Sequence, residues 1–513
     1  MDLQRNLDSE QLSLRDAARL CCPELASTVA DGKLGYPDSP EYNASLESYY
    51  SVQQESIRPA CIVFPQTIQD VSDAVKVLTK HTINGLCKFA IRSGGHTSWA
   101  GASNIAGGVT LDLRGLNSID LSEDGKTVQI GPGASWDVIY QKLDPLGRSV
   151  AGGRVPTLRP CGWSWLVLSD GTVVNANENE NADLLFALRG GGNNFGIVTL
   201  IDLETYDQGL LWSASLMCDA SVVESNAKEF VRLSTAHDYD EKASFLLSFA
   251  YIGSMGLSVI ANTLIYADAV ENPPVYQKFL KLPALQVTTG LKNMTTLSLE
   301  GEAMVPKGAR SLHCTHTVIS TEAMLQAIHK VWNDAVSAVR NVSGISWVLS
   351  FDPVPPCFYA RHAASNALGL SGRNGAALLV LLLDVRWSEA TDDETVASTA
   401  KLLFEAIKHE AQKIGAFDPF IYLNYAGPDQ NPIATYGAEN VQRLRAIRSR
   451  ADPGELFTEQ VPGGHKVPGE SLIHYTRLYC VGYYIWLQGF SGFVKACMPH
   501  HCLTLSLIIN TST

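Results

Sequence analysis

Apolar positions along the first 205 residues alternate between two periods. Residues 62–64 form a short apolar run stopped by Pro65; Thr67 and Asp70 then have the spacing of a capping box, and Val71, Ala74, Val75 and Leu78 fall on one helical face. The pattern predicts a strand followed by a helix. Further strands are predicted at 89–91, 109–113 and 127–130, while Trp136, Ile139, Tyr140 and Leu143 mark another amphipathic helix. The run LVLSDGTVVNAN reads as a hairpin, because Asp170-Gly171 suits a tight turn with positive φ. From about Tyr206 the pattern lengthens into alternating strands such as ASFLLSFAYI and LSVIANTLIY, separated by helices such as Glu322–Val339, as far as Phe417. Residues 421–467 return to short loops and one basic helix, a texture suited to closing the first domain.

Composition narrows the class. At 513 residues, with 46% hydrophobic and 18% charged content, the chain has enough material for about two or three ordinary domains. Its net charge of −13 argues against a nucleic-acid-binding face and against an anionic membrane surface. A small neutral or cationic substrate fits better. The first residues, MDLQRNLDSEQLSLRDAARL, lack the apolar stretch of a secretory signal, so the chain as written is expected in the cytoplasm. Glycosylation triplets at Asn43, Asn293, Asn341 and Asn510 point the other way, towards secretion. The 11 cysteines have neither paired CxxC spacing nor the density of a disulfide scaffold, and most read as small core residues. Cys21 or Cys22 can bridge to Cys61, and spacing does not choose between them.

The tail from residue 468 differs in kind. LYCVGYYIWLQGFSGFV is interrupted by Gln488 and glycines and is shorter than the roughly 20 residues of a membrane span, so no stable membrane insertion is expected. CMPHHC places Cys497, His500, His501 and Cys502 close together, but structural zinc sites draw ligand pairs from separated segments. No metal is assigned.

Candidate chemistry sits in two glycine clusters. In RSGGHTSWAGASN, Ser93, Gly94 and Gly95 follow a strand without a bulky side chain, so backbone N–H groups can turn outward and form a nest for a pyrophosphate. In ALRGGGNNFGIVTLIDL, Gly190, Gly191, Gly192 and Gly196 permit close backbone approach between a helix and a strand. Neither cluster has the GxGxxG or GxxxxGK[ST] arrangement, which disfavours an ordinary nicotinamide fold. Taken alone, either cluster also reads as turn glycines, and His96 as a turn or surface histidine.

Together with GGVTLDLRGLNSI, VQIGPGASWDVIYQKLDPLG, LVLSDGTVVNAN and the downstream YLNYAGPDQNPIATYGAENVQRLRAIRSRADPGELF, these clusters resemble the FAD-linked oxidases of the berberine-bridge-enzyme type, especially fungal members. The resemblance runs in order over roughly residues 22–467. It implies a two-lobed α+β fold, a p-cresol-methylhydroxylase-type (PCMH-type) FAD-binding domain with an inserted α+β substrate domain. The segments are then an N-terminal extension (1–34), a first FAD-binding part (35–205), a substrate domain (206–419), a returning FAD-binding part (420–467) and the atypical tail (468–513).

By the same resemblance, His96 matches the histidine joined covalently to the 8α-methyl of FAD. Arg92, Ser93, Gly94, Gly95 and Thr97 match the loop around the pyrophosphate; Gly196, Ile197 and Val198 match backbone contacts in the adenine half; Asn424 and Tyr425 match the pair near the isoalloxazine. The implied reaction is oxidation of a small organic substrate, with hydride passing to the flavin and O2 as acceptor, in secondary metabolism. Tyr425 is the candidate general base, with a packing tyrosine as the alternative reading. The strand at 377–387, which faces the cofactor in relatives, is apolar from Leu378 to Leu383, and no base is carried over to it. One departure is the short junction at 155–166, where fungal relatives carry another glycine-rich flavin loop; Cys161 is not equated with the cysteine some relatives attach to flavin. A catalytically inactive relative lacking that loop is the alternative.

Overall fold

The structure, a computed structural model, describes residues 20–29, 32–82, 87–152, 163–373 and 375–469. The junction residues 153–162, with Cys161, and the tail from 470 with its CMPHHC run lie outside the described residues.

The first sheet is short and mostly parallel. Strands β1 (Leu34–Gly35), β2 (Cys61–Val63), β3 (Phe89–Arg92) and β4 (Val109–Asp112) lie in the order β1-β2-β4-β3, with β2 and β3 parallel to β4. Every residue of β2 and β4 is buried, as a parallel sheet covered on both faces requires. Helix Ile68–Thr82 covers it through Val71, Ala74, Val75 and Leu78, the face the sequence pattern marks. Its start is the expected capping box: Thr67 Oγ1 accepts from the Asp70 amide at 3.1 Å, and the Asp70 carboxylate accepts from the Gln66 and Thr67 amides.

The second sheet is antiparallel. Strands β5 (Ile119–Leu121), β6 (Thr127–Ile130), β8 (Trp163–Val167), β9 (Val173–Asn177) and β10 (Ile197–Asp207) run in the order β5-β6-β10-β8-β9, and β7 (Arg148–Val150) pairs with the far end of β10. The hairpin around Asp170-Gly171 joins β8 to β9.

The third sheet has eight strands, β11 (Leu211–Cys218), β12 (Ala243–Ile252), β13 (Leu257–Tyr266), β14 (Gln286–Lys292), β15 (Arg310–Ile319), β16 (Ser346–Val354), β17 (Leu378–Trp387) and β18 (Phe417–Asp418), ordered β14-β11-β13-β12-β16-β17-β15-β18. Period-2 alternation divides its faces. On β17, Leu379, Leu381, Leu383 and Val385 pack with Leu325, Ile328, Trp332, Leu403 and Ile407 of helices Glu322–Val339 and Asp393–Ile414. Leu378 and Val380 point the other way, into a core shared with Phe186, Phe195, Phe420 and Tyr436. The chain then returns to the first two sheets: Leu444 and Ile447 of helix Ala438–Ala451 join that shared core, and Leu456, Phe457 and Val461 pack among Val75, Leu78 and Phe89.

Two disulfides, Cys22–Cys61 and Cys21–Cys87, tie helix Cys22–Thr28 to the first sheet. Of the two bridges to Cys61 left open by the sequence, the structure has the one from Cys22, and the Cys21–Cys87 bridge is additional; among the described residues, Cys218, Cys314 and Cys357 are free. The pairing follows from which cysteine faces β2 and which faces the entry to β3, a choice that spacing does not contain. No helix among the described residues is long and apolar enough to cross a membrane.

Candidate functional site

The loop after β3 is supported from behind by a buried ion network. The Arg92 guanidinium is fully buried; it donates to Ser45 O (2.5 Å), Ser45 Oγ (3.1 Å) and Ser48 Oγ (2.7 Å), lies 3.6 Å from Asp112 and covers the Tyr49 ring at 3.7 Å. Burial pulls against charge on both partners. It lowers the Arg92 pKa, whereas for Asp112 the hydrogen bond from Arg114 and the Arg92 charge outweigh burial and hold the carboxyl below its usual range. The side chain of Arg92 therefore braces the loop from inside. Ser45, the last residue of a glycosylation triplet in the sequence, is part of this core, its Oγ donating to Asp112 at 2.6 Å.

Gly95 has φ +67°, and a Cβ there would stand 2.9 Å from Arg92 Nε and 3.0 Å from the Tyr49 ring, so only glycine fits. Around it, Ser93, Gly94, His96 and Thr97 are exposed. Among the described residues no protein acceptor takes the amides of Gly94, Gly95 or Thr97, and a Cβ on Gly94 would meet nothing within 4 Å. These are amide donors without a protein acceptor at a strand end, the kind of donor set a pyrophosphate needs. The Ser93 hydroxyl ties the loop to the Pro132 carbonyl. The His96 ring stacks on Tyr50 at 4.2 Å, and the Tyr50 amide donates to Gly95 O at 3.2 Å.

The second glycine cluster is held to the end of the described chain by asparagines. Buried Asn194 donates to Gly191 O (2.7 Å) and His465 O (2.9 Å) and accepts from the Val467 amide (3.1 Å); Asn193 donates to Gly463 O at 3.0 Å. Lys466 donates to Phe457 O at 2.9 Å and Asn193 Oδ1 at 3.3 Å, and burial pulls its ammonium down to about 7. Neither the two asparagines nor the lysine was singled out by the sequence. Asparagines after a glycine run and a lysine in a short tail segment carry no pattern that separates them from surface polar residues. Gly196 (φ +154°) sits where a Cβ would come within 2.8 Å of Leu166 and 2.9 Å of Val167 O; Ile197 and Val198 continue from it into the ladder with β8.

Asn424 and Tyr425 lie on the turn Leu423–Tyr425. Asn424 Nδ2 donates to the Tyr422 hydroxyl at 2.9 Å, and the Tyr425 ring meets Tyr422 edge-on at 4.9 Å, beside the apolar core of Phe420 and Tyr436. The loop that follows is clamped to β15. Gln430 accepts from the Thr315 and Gly427 amides, both at 3.0 Å, and donates to Thr315 O at 2.7 Å. Nearby, the His313 amide donates to Ser98 Oγ at 3.2 Å, His465 lies 3.4 Å from Ala426 O, and its ring faces Trp99 at 5.9 Å. The structure thus brings the His96 loop, β15, the loop after Tyr425 and residues 463–467 to one place.

The eight-stranded sheet roofs that place with polar side chains. On the face of Leu378 and Val380, neighbouring positions are Asp384 and Arg386 on β17 and His313 and Thr315 on β15, with His313 Nε2 3.5 Å from Asp384 Oδ1. Reading residues 378–383 as one apolar run hid this, because only alternate residues face the site and the polar ones stand on the next strand or just beyond the run.

Comparison with known proteins agrees with this geometry. Residues 59–157 match the family described as FAD binding domain. An FAD-dependent monooxygenase from Emericella nidulans is 32% identical over 479 residues, covering 88% of this chain and 98% of that protein. Oligopeptidase PhomG' of Diaporthe leptostromiformis is 40% identical over 459 residues, covering 86% of this chain, and this chain spans only 37% of that protein's length. Among solved structures, a wild-type berberine-bridge-enzyme-like protein of Physcomitrella patens superposes with a TM-score of 0.66 at 19% identity, over 88% of this chain and 99% of its own. Glucooligosaccharide oxidase from Acremonium strictum, studied for its 6-S-cysteinyl, 8α-N1-histidyl FAD, gives 0.67 at 16% identity, over 88% and 100%.

Proposed function

The chain belongs to the fungal, berberine-bridge-enzyme-like family of FAD-linked oxidoreductases, and from that membership we propose that it oxidises a small organic molecule of secondary metabolism using FAD held covalently through His96. Bound FAD would supply a two-electron acceptor for hydride, with O2 regenerating it. The observation that carries this reading is the braced loop, with donor amides at Gly94, Gly95 and Thr97 and an exposed histidine among them.

The chain's own residues then divide the work. The amides of Gly94, Gly95 and Thr97 would hold the pyrophosphate, Arg92 and Asp112 keep that loop from yielding, and His96 would offer a ring nitrogen to the flavin's 8α position. Gly196 admits the adenine half. Asn424 and Tyr425 wall the isoalloxazine, with Tyr425 held by Tyr422. The names of the relatives support a second reading, insertion of an oxygen atom; counting H2O2 per substrate consumed separates the two. Nothing in the fold or the comparisons favours an inactive relative. The two disulfides support maturation in an oxidising compartment rather than the cytoplasm.

The test is the fate of the yellow colour. Denatured, washed protein should stay yellow, and the peptide containing His96 should carry the flavin mass. His96→Ala should bind FAD reversibly and release it on denaturation, whereas Gly95→Val should not bind FAD at all, since the added side chain collides with Arg92 and Tyr49. Retained FAD with an unmodified His96 peptide would refute the covalent assignment.

A further inference from the structure

His313 and Asp384 stand directly opposite each other in the β15–β17 ladder, so their side chains share one face. That face is the one turned from the helices, because Leu381, Leu383 and Val385 between and beside them belong to the helix-side core. We propose that His313 accepts the proton that leaves the substrate and that Asp384 is the residue positioning its ring, an inference that rests on the oxidation proposed above.

The pair is largely withdrawn from water, with 15% of the His313 side chain and 12% of Asp384 exposed, and His313 Nε2 lies 3.5 Å from Asp384 Oδ1. A carboxylate at that nitrogen favours the proton on Nε2 and leaves the Nδ1 lone pair as acceptor. No described residue hydrogen-bonds Nδ1. The strand is fixed against the cofactor loop by the bond from the His313 amide to Ser98 Oγ, and the His313 ring lies 6.1 Å from Tyr50, which itself stacks on His96. The histidine is therefore close to the ring that anchors the flavin.

Among the described residues, the charged and titratable groups near His313 are Asp384 and Arg386 from β17, the Arg386 Nε lying 4.0 Å from Asp384 Oδ1, and Tyr50 from the front lobe, which stacks on His96. Asp384 Oδ1 thus has an imidazole nitrogen at 3.5 Å and a guanidinium nitrogen at 4.0 Å, charge contacts rather than hydrogen bonds, which is a setting in which a carboxylate can orient the ring. In the step, Nδ1 takes the proton of a substrate O–H or N–H, the electron pair left behind forms C=O or C=N, and hydride from the adjoining C–H passes with two electrons to the bound FAD. No other reagent is needed. Tyr425 competes for the role less well, because its ring is packed against Tyr422.

Two measurements decide the matter. Long-range ¹⁵N–¹H spectra of the flavin-loaded, ¹⁵N-histidine-labelled enzyme without substrate should show His313 protonated on Nε2, should lose that preference in Asp384→Leu and should keep it in Asp384→Glu. Anaerobic bleaching of the flavin, with 4-methoxybenzyl alcohol and 4-methoxybenzylamine as probes, should slow by about 100-fold or more in His313→Gln at unchanged flavin content. Asp384→Leu should slow it too, with rescue in Asp384→Glu. An Nδ1–H tautomer in the parent, or parental bleaching in His313→Gln, would overturn the proposal; loss in Tyr425→Phe alone would move the role to Tyr425. A parent that neither probe bleaches counts against the oxidation reading itself, and the tautomer spectrum then decides the pair on its own.

Discussion

Two buried cations near the cofactor loops have opposite fates. Arg92 is paired in the interior with Asp112, two serines and the Tyr49 ring, although its Nε makes no hydrogen bond among the described residues. Among the described residues Lys466 donates to neutral oxygens, and burial, opposed in part by the charge of Asp452, draws its pKa down to about 7. In the unfolded chain a lysine titrates near about 10.4. Between those values the unfolded state binds the extra proton, so stability rises with pH from about 7 towards 10, and the penalty for charging the buried amine is complete below 7. Lys466→Met should remove this slope. Urea unfolding at several pH values should show the variant gaining on the parent by about 4 kcal/mol at pH 7 and losing that advantage towards pH 10. Parallel curves for parent and variant would mean that Lys466 stays charged.

At the scale of elements, the consecutive cysteines act as a double staple. Cys22–Cys61 and Cys21–Cys87 close loops of 39 and 66 residues, and each should contribute about 2–4 kcal/mol by restricting the unfolded chain. Protein prepared without reductant should yield only Cys218, Cys314, Cys357 and cysteines outside the described residues to thiol titration in denaturant, and reduction should lower its melting temperature. Four further thiols before reduction would contradict both the staple and the oxidising compartment. Which elements exist was legible in the sequence, because the helix at 68–82 and the strand at 127–130 carry their own period and cap. Which elements meet was not. The partner of Cys21, the facing of His313 on Asp384 and the capture of Val467 by Asn194 all depend on register or closure between distant segments. The glycine loop at 93–97 lies between these cases: its composition announced a close approach, but the bracing of Arg92 by Ser45 and Asp112 depends on segments far away in the sequence.

For the molecule as a whole, the chain leaves the front sheets after β10, builds the eight-stranded sheet and comes back through β18, so the front sheets and the eight-stranded sheet must close on each other. Gln430 is one polar fastener of that closure, beside Gln53 at Ser311 and Asp144 at Thr295. One neutral amide makes three bonds, to the Thr315 amide and carbonyl on the roof and to the Gly427 amide on the returning loop. Replacing it by leucine leaves buried backbone groups without partners, at a cost of about 2–4 kcal/mol. The effect should be on coupling as well as on stability, because this clamp joins β15 to the returning loop, beside the bonds from β15 to Ser98 and Gln53. In the parent, unfolding followed by flavin fluorescence and by far-ultraviolet circular dichroism should coincide. In Gln430→Leu the flavin should become exposed at a lower temperature than that at which the bulk of the secondary structure is lost, with the ¹⁵N signature of His313 changed. A variant that melts earlier but with both signals still superimposed would show that the apolar core around Phe420 and Tyr436, rather than this amide, joins the two halves.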